Sequence, residues 1–274
     1  MSMPPELARQ IGAIARAAAE AILQVYHGDF AVQTKGDDSP LTAADLAAQR
    51  VIEAGLAALD VQYPVLSEEA KALPWSQRQH WSRYWLVDPL DGTREFVKRN
   101  GEFTVNIALI DEGRSVMGVV LAPVTGELYV GEHGEGAWLQ AREEGPWQRI
   151  RTRPLGDSPR VAGSRSHGDA QGALLEQLIG CDYQLVPLGS SLKFCLIARG
   201  QADIYLRLGP TSEWDTAAAQ CVLDEAGGAV LDLAGREFRY NRGESLLNPE
   251  FVAVGDSSID WAQRLNQKAG DDHE

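Results

Sequence analysis

Two carboxylates lie three residues apart in the run D-P-L-D-G-T at positions 88–93. The run follows three apolar residues, which predicts that Asp88 and Asp91 lie at the end of a buried strand. The proline fixes its own φ and biases Asp88 toward extended geometry, while the glycine permits backbone conformations that are closed to most residues. The turn also offers the carbonyl oxygen of Leu90 and the hydroxyl of Thr93, so it predicts a site for a hard cation such as Mg²⁺. An ordinary Asp-rich turn is the alternative.

Three more acidic residues stand at the predicted ends of other elements. Glu68 follows a short predicted strand, and Asp215 precedes a helix that is predicted to begin at Thr216. Asp45 lies three residues after Thr42, where another helix is predicted to begin. From the residues alone each has a structural alternative, which is a solvated loop for Glu68, a helix N-cap for Asp215 and a capping box for Asp45.

Polar residues at a predicted loop-to-helix junction form a candidate anion site. Ser190, Ser191 and Lys193 stand where a helix is predicted to start, and free backbone N–H groups at helix starts bind anions. Simple capping by a serine, with Lys193 in solvent, is the alternative. Further positive charge is available from Arg165, His167 and Arg207.

Bulk properties exclude several classes of protein. The formal net charge of −14 gives no polynucleotide footprint, which needs clustered Lys and Arg. A small anionic substrate is still compatible with this acidity, because bound cations can dominate a local field. The three cysteines fit no zinc or C-x-x-C motif and indicate a reducing compartment. We find no signal peptide and no apolar run of about 20 residues, so we expect a cytoplasmic protein without a membrane span.

Hydrophobic spacing predicts that the first part of the chain combines helices with an antiparallel sheet. Apolar residues three and four apart predict one helix after Pro5 and another from Thr42. Period-two alternation with tight turns predicts an antiparallel meander over residues 103–131.

The best candidate linker is the run 153–159, which is rich in Pro and Gly. We therefore divide the 274 residues into an N-terminal half, 1–155, and a C-terminal half, 156–274. Strands and helices alternate beyond the linker, which predicts an α/β half that carries Asp215. The polar tail from residue 268 is predicted to be disordered.

Four separated runs resemble the motifs of the inositol monophosphatase superfamily of metal-dependent, lithium-sensitive phosphatases. They are residues 41–45 (L-T-A-A-D), 67–69 (S-E-E), 88–93 (D-P-L-D-G-T) and 213–218 (E-W-D-T-A-A). A narrower resemblance, to bacterial 3'(2'),5'-bisphosphate nucleotidases, rests on residues 85–93, 95–110, 164–167 and 189–195. The resemblance covers most of the chain. It implies an α/β (α+β) fold, a layered αβαβα sandwich with the active site between the halves.

The resemblance also implies a role for each candidate residue. Asp88 would bridge two Mg²⁺ ions, with Glu68 and the Leu90 carbonyl completing one site and Asp91 and Asp215 the other. Asp45 and Thr93 would activate the attacking water. The substrate contacts implied are Glu68, Leu90, Asp91, Gly92, Thr93, His167, Ser190, Ser191, Lys193, Arg207 and Asp215.

The activity implied is Mg²⁺-dependent hydrolysis of the 3'-phosphate of adenosine 3',5'-bisphosphate, giving AMP and phosphate. The same resemblance extends the activity to 3'-phosphoadenosine 5'-phosphosulfate and places it in sulfate assimilation. The expected partner is a small nucleotide and not a nucleic acid, and no oligomeric state is predicted. Association with the inner membrane's cytoplasmic face is implied by resemblance alone.

Three other functions remain as alternatives. Haloacid-dehalogenase phosphatases carry D-x-D-G-T, but here two residues separate Asp88 from Asp91, which argues against a covalent aspartyl route. An inositol monophosphatase or related sugar phosphatase would use the same metal ligands, and the 190–193 segment argues against it. A metal-binding regulatory protein would be expected to lack a ligand, whereas Glu68, Asp91 and the other carboxylates are present.

Overall fold

A computed structural model of the protein describes residues 3–28, 32–34, 40–71, 73–163, 169–180 and 182–266. The helices are α1 (Glu6–Tyr26), α2 (Ala43–Ala57), α3 (Trp75–Arg78), α4 (Thr93–Val97), α5 (Asp169–Ile179), α6 (Leu192–Ala198), α7 (Glu213–Glu225) and α8 (Trp261–Asn266). The strands are β1 (Val32–Thr34), β2 (Pro40–Thr42), β3 (Val65–Ser67), β4 (Arg83–Asp91), β5 (Thr104–Asp111), β6 (Arg114–Leu121), β7 (Leu128–Glu132), β8 (Gly136–Gln140), β9 (Trp147–Ile150), β10 (Arg160–Gly163), β11 (Gln184–Pro187), β12 (Ile204–Arg207), β13 (Ala229–Asp232) and β14 (Phe251–Val254).

The larger sheet follows chain order from β3 to β9. β3 pairs parallel with β4, and every later pair is antiparallel. The alternation of residues along β5 sends Val105 and Ile107 to one core cluster and Ala108 and Ile110 to another. The predicted meander is therefore confirmed, and its strands are apolar on both faces because both faces are covered.

The second sheet has the order β11-β10-β12-β14-β13. β10 pairs parallel with β11 and β12, as expected where helices alternate with strands. β14 pairs antiparallel with β12 and β13, and β13 forms the edge of the sheet. No pattern in the sequence predicts β14 and α8, or β8 and β9 of the larger sheet.

Three core clusters define five layers. One cluster joins α1 and α2 to a face of the larger sheet. The second fills the space between the two sheets and includes α6 and α7. The third joins the outer face of the second sheet to α5 and α8. The order helix, sheet, helix, sheet, helix is the αβαβα sandwich expected from the sequence.

Helix α7 lies unusually close to the larger sheet because glycines face it. A Cβ atom added at Gly118 would lie 2.0 Å from the Ala218 carbonyl oxygen, and one at Gly131 would lie 2.7 Å from that of Cys221. No other residue type would allow this approach without a shift of backbone. The two glycines therefore set the depth of the helix that carries Asp215.

The predicted linker contains no regular secondary structure, but contacts anchor it. Arg153 forms two hydrogen bonds with the Asp203 carboxylate, at 2.7 and 2.6 Å. The division at residue 155 stays a prediction. Within the described ranges no helix is both long enough and apolar enough to cross a membrane. The tail and the candidate residues Arg165 and His167 lie outside the described residues.

Candidate active site

The register between β4 and β5 brings the two aspartates of the 88–93 turn onto one face of the sheet. Asp88 pairs with Asn106 and Asp91 pairs with Thr104, so β4 holds one more residue than β5 between the same two rungs. Side chains alternate along a regular strand, which would send residues three apart to opposite faces. The extra residue forms a β-bulge that cancels this difference in phase. Both carboxylates thus reach the layer of α6 and α7.

The turn after the bulge has the rigidity that its sequence predicts. The Leu90 N–H donates to Asp88 Oδ1 at 3.0 Å. Gly92 has φ of +93°, and a Cβ atom there would lie 3.1 Å from the Glu102 carbonyl oxygen. A larger residue at this position would strain the backbone and push against the next strand.

Two other elements bring further carboxylates to the turn. Glu68 follows β3, and its N–H donates to the Val87 carbonyl at 3.2 Å, so it stands beside Asp88. From α7 comes Asp215, and one oxygen each of Asp88, Asp91 and Asp215 lie within 4.8 Å of one another. The structure therefore brings Asp215 to the other carboxylates, from which it is separated by more than a hundred residues in the sequence.

Asp215 lies inside α7, in its first turn, and not before the helix as the sequence suggested. Ser212 precedes the helix, and its backbone N–H donates to Asp215 Oδ2 at 2.8 Å. The other oxygen of Asp215 accepts no hydrogen bond from the described residues. Capping and ligation therefore need not share an atom, and the two interpretations of Asp215 are compatible.

Asp45 combines the same two features. Its Oδ2 accepts hydrogen bonds from the Thr42 N–H at 2.8 Å and the Thr42 hydroxyl at 2.7 Å, which is the expected capping box. Its Oδ1 lies 3.3 Å from the Thr93 hydroxyl, which is also 3.4 Å from the Leu90 carbonyl. Oδ2 therefore caps helix α2, and Oδ1 faces Thr93 in the turn at 88–93.

The carboxylate cluster is costly to charge without a cation. Burial, followed by the charges of Glu68, Asp91 and Asp215, raises the pKa of Asp88 well above its ordinary value. Burial and then Asp91 raise the pKa of Asp215 to about 8. The donors are all oxygen atoms, which suit Mg²⁺ or Ca²⁺ and not the nitrogen and sulfur sites of zinc. These residues fit a hard divalent cation.

The segment before α6 connects the carboxylate cluster to a buried, positively charged side chain, which is that of Lys193. Asp91 Oδ2 accepts hydrogen bonds from the Ser191 N–H at 2.6 Å and lies 2.9 Å from the Ser191 hydroxyl. Lys193 is 9% exposed, so the alternative of a solvated lysine is wrong. Its Nζ donates to the Ser190 carbonyl at 2.7 Å and lies 5.0 Å from the centre of the Tyr205 ring. Burial lowers the pKa of Lys193 to about 8, against the opposing charge of Asp91.

A cavity of about 510 Å³ runs from the carboxylate cluster past this lysine. Its charged lining residues are Asp91, Asp215, Glu95, Glu102, Arg94, Lys98, Lys193 and Arg207. If cations neutralise Asp91 and Asp215, the remaining described lining carries an excess of two positive charges. The cavity then suits a ligand with a second anionic group away from the cluster.

Two polar residues on β5 are part of the site and were missed from the sequence. Thr104 Oγ1 lies 3.4 Å from Asp91 Oδ2, and Asn106 Nδ2 donates to the Ser191 hydroxyl at 2.9 Å. Both residues are buried. A signal was present, because Thr104 and Asn106 share one phase of a strand that is otherwise apolar in that phase.

Comparisons with known proteins agree with this geometry. The model of the inositol monophosphatase family matches residues 5–268. A 3'(2'),5'-bisphosphate nucleotidase CysQ of Escherichia coli K12 is 51% identical over 244 residues, which cover 88% of this chain and 97% of that protein. The CysQ of Haemophilus influenzae is 35% identical, over 95% of this chain and 97% of its own. The crystal structure of CysQ from Bacteroides thetaiotaomicron has a TM-score of 0.78 at 39% identity, covering 91% of this chain and 97% of that one.

Proposed function

The chain belongs to the inositol monophosphatase family, and from that premise we propose that it is a 3'(2'),5'-bisphosphate nucleotidase that converts adenosine 3',5'-bisphosphate to AMP and phosphate. The observation that supports this choice of substrate is the cavity that connects the carboxylate cluster to buried Lys193. We extend the activity to 3'-phosphoadenosine 5'-phosphosulfate, whose distal group is also anionic. This chemistry belongs to sulfur metabolism.

Mg²⁺ is the cation that we propose for the cluster. Asp88, Asp91 and Asp215, together with Glu68 and the Leu90 carbonyl, would hold two or more ions. When bound, such ions neutralise charge on the transferring phosphate and acidify an attacking water. Each of the three aspartates has one carboxylate oxygen held by a backbone N–H group, which is an arrangement that holds a ligand set rigid.

Thr93 and Asp45 supply the proton path in this proposal. The Thr93 hydroxyl lies 3.3 Å from Asp45 Oδ1, so a small shift would bring the two oxygens to the usual distance of an O–H···O hydrogen bond. Thr93 takes a proton from the attacking water while its own proton passes to Asp45. The water oxygen bonds to phosphorus as the bond between phosphorus and the 3'-oxygen breaks, and the 3'-oxygen of AMP takes up a proton from solvent. No covalent bond to the protein forms.

The part of the cavity that is lined by Lys193 and Arg207 would bind the 5'-phosphate. Lys193 and Arg207 offer charge-assisted hydrogen bonds, each worth about 1.5–3 kcal/mol. Inositol 1-phosphate has no second phosphate to contact Lys193 and Arg207, so it would forgo both of these contacts. The positive charges of Lys193 and Arg207 therefore favour a bisphosphate over a monophosphate.

A phosphate-release panel in Mg²⁺ tests the proposal. Adenosine 3',5'-bisphosphate, 3'-AMP, inositol 1-phosphate and fructose 1,6-bisphosphate are compared by kcat/KM. We expect the adenosine bisphosphate to exceed inositol 1-phosphate by at least about 100-fold, since two charge-assisted contacts at about 1.4 kcal/mol per decade supply that much. Comparable values for these two substrates would contradict the nucleotide assignment. A single turnover in ¹⁸O-water should place one label in phosphate, and a trapped phosphoprotein would contradict attack by water.

A further inference from the structure

A buried arginine away from the cavity has an unusual set of partners. Arg78 in α3 is 1% exposed, and its Nη1 donates to Asn241 Oδ1 at 2.6 Å. Asn241 Nδ2 returns a hydrogen bond to the Arg78 carbonyl at 2.6 Å, and Nη2 of Arg78 donates to the Glu244 carbonyl. The guanidinium also lies over the Trp75 ring, 5.0 Å from its centre. Side chain and backbone of Arg78 are thus both held by one short segment of the C-terminal half.

Asn241 extends this contact to the start of α7. Its backbone N–H lies 2.8 and 3.0 Å from the two carboxylate oxygens of Glu213. Glu213 is the first residue of α7, is 5% exposed, and stands two residues before Asp215. Its own N–H donates to the Leu246 carbonyl at 2.8 Å, so the same segment holds the helix start from two sides.

The chain of contacts joins two separate metal-ligand elements. α3 lies in the connection between β3 and β4, and this connection begins with Glu68. Through Asn241 and Glu213, that connection is tied to the helix that presents Asp215. The charges of Glu68 and Asp215 both raise the pKa of Asp88, which lies near the end of β4.

Stability alone gives a poor account of this arrangement. A buried guanidinium often contributes little to stability, because the cost of desolvating its charge offsets the hydrogen bonds that it makes. Arg78 Nε is buried and has no hydrogen-bond partner among the described residues, which adds to that cost. A geometric role, in which exact placement matters, accounts better for an arginine fully enclosed here.

We propose that Arg78, Asn241 and Glu213 are positioning residues that fix the separation of Glu68 and Asp215 and thereby make the cluster selective for Mg²⁺ over Ca²⁺. The inference rests on the metal site of the proposed function. Mg²⁺ demands near-ideal octahedral geometry at about 2.0–2.1 Å, whereas Ca²⁺ accepts irregular sites at about 2.3–2.6 Å. A loosened ligand set should therefore lose affinity for the smaller ion first.

The sharpest variant is Asn241→Gly. Asn241 has φ of +53°, which glycine adopts readily, and glycine keeps the N–H that Glu213 accepts. Only the two bonds between the Asn241 side chain and Arg78 are lost. Titration calorimetry on chelator-treated protein should show Mg²⁺ affinity falling about 10-fold, as for outer partners of metal ligands, while Ca²⁺ affinity changes less than about 2-fold. The Mg²⁺ concentration for half-maximal activity should rise by the same factor, with kcat recovered at saturating Mg²⁺.

Arg78→Lys is the second variant and Arg264→Lys its matched control. Arg264 in α8 lies 5.2 Å from the centre of the Trp261 ring and donates to the Leu178 carbonyl at 2.6 Å, so it shares an aromatic neighbour and a carbonyl acceptor with Arg78 but contacts neither Asn241 nor α7. We expect Arg78→Lys to lower the Mg²⁺ to Ca²⁺ affinity ratio and Arg264→Lys to leave it unchanged. Equal losses for both ions, or a lower melting temperature with an unchanged ratio, would show a structural role only and overturn the proposal. If the wild type binds Mg²⁺ with this selectivity but does not hydrolyse the bisphosphate, the proposed substrate alone is wrong.

Discussion

At the scale of single residues, the proposed function gives one carboxylate oxygen of Asp91 to the protein and the other to a cation. Oδ2 is held by the Ser191 N–H at 2.6 Å, which leaves the other oxygen for a cation. In Asp91→Asn the oxygen would stay with Ser191, and an NH₂ group would face the cation and repel it. We expect kcat in Mg²⁺ to fall more than 10-fold, since Mg²⁺ binds mainly through carboxylates. Phosphate release measures the loss, and more than a tenth of wild-type activity with unchanged circular dichroism would contradict the ligand role.

Lys193 gives a prediction that separates substrates. Lys193→Ala should lower kcat/KM for adenosine 3',5'-bisphosphate roughly 10- to 100-fold, because one charge-assisted hydrogen bond is lost. It should barely change 3'-AMP, which lacks the 5'-phosphate. Lys98→Ala is the control, since Lys98 lines the same cavity but is exposed, and solvent screens its charge. Equal losses of Lys193→Ala on both substrates would show that the lysine supports the fold or the metals instead.

The same lysine predicts a pH profile. Burial lowers the pKa of Lys193 to about 8, so the side chain is charged below that pH and neutral above it. For the free enzyme, kcat/KM for the bisphosphate should therefore decline as pH rises through about 8. The decline should be absent for 3'-AMP and for Lys193→Ala. A parallel decline for both substrates would assign it to another group.

At the scale of elements, the seat of α7 on the larger sheet is the most sensitive contact. Gly118→Ala would place a methyl group 2.0 Å from the Ala218 carbonyl oxygen, so α7 must move. We expect a loss of about 1–3 kcal/mol in the free energy of unfolding, with weaker Mg²⁺ binding because Asp215 moves with the helix. Gly172→Ala in α5 is the control, since nothing lies within 4 Å there, and it should be neutral or stabilising. Urea denaturation measures the loss of stability, and calorimetry measures Mg²⁺ binding. A wild-type Mg²⁺ affinity in Gly118→Ala would contradict the expected link between the position of α7 and the metal site.

Elements with strong local signals could be predicted from the sequence, and those that depend on distant partners could not. α1, α2 and the meander have clear periodicity, and the turn at 88–93 has its own chemistry. β14 was missed because a four-residue strand between polar loops is decided by its neighbours in the sheet. Lys193 was left between solvent and site, because its burial depends on Tyr205, which lies in another element.

At the scale of the whole molecule, the carboxylate cluster should make stability depend on pH. The pKa of Asp215 rises to about 8 in the folded protein from an unfolded value of 3.8, and the pKa of Asp88 also rises. The folded state then binds more protons than the unfolded state within that window, so the free energy of unfolding falls as pH rises from about 4 to 8. Urea denaturation of chelator-treated protein at several pH values measures this slope.

Mg²⁺ should remove most of that slope, because a bound cation stabilises the charged cluster. At 100 times its Kd, Mg²⁺ should also add about 2.7 kcal/mol to the free energy of unfolding near pH 8. Asp215→Asn is the matched variant and should show a smaller slope without metal. The same slope with and without Mg²⁺ would mean that other groups cause the pH dependence.

The single extra residue in β4 decides which changes the turn can accept. Asp88 and Asp91 share a face only because three steps on β4 are matched to two on β5. Deleting Leu90 would restore an even ladder, yet it would also remove the carbonyl that the turn contributes and draw Asp91 out of reach of Ser191. Replacing Leu90 by another apolar residue keeps both, since its role belongs to the backbone. Across related chains, this turn should therefore vary in residue type at position 90 but not in length, and insertions should be confined to the connections on either side.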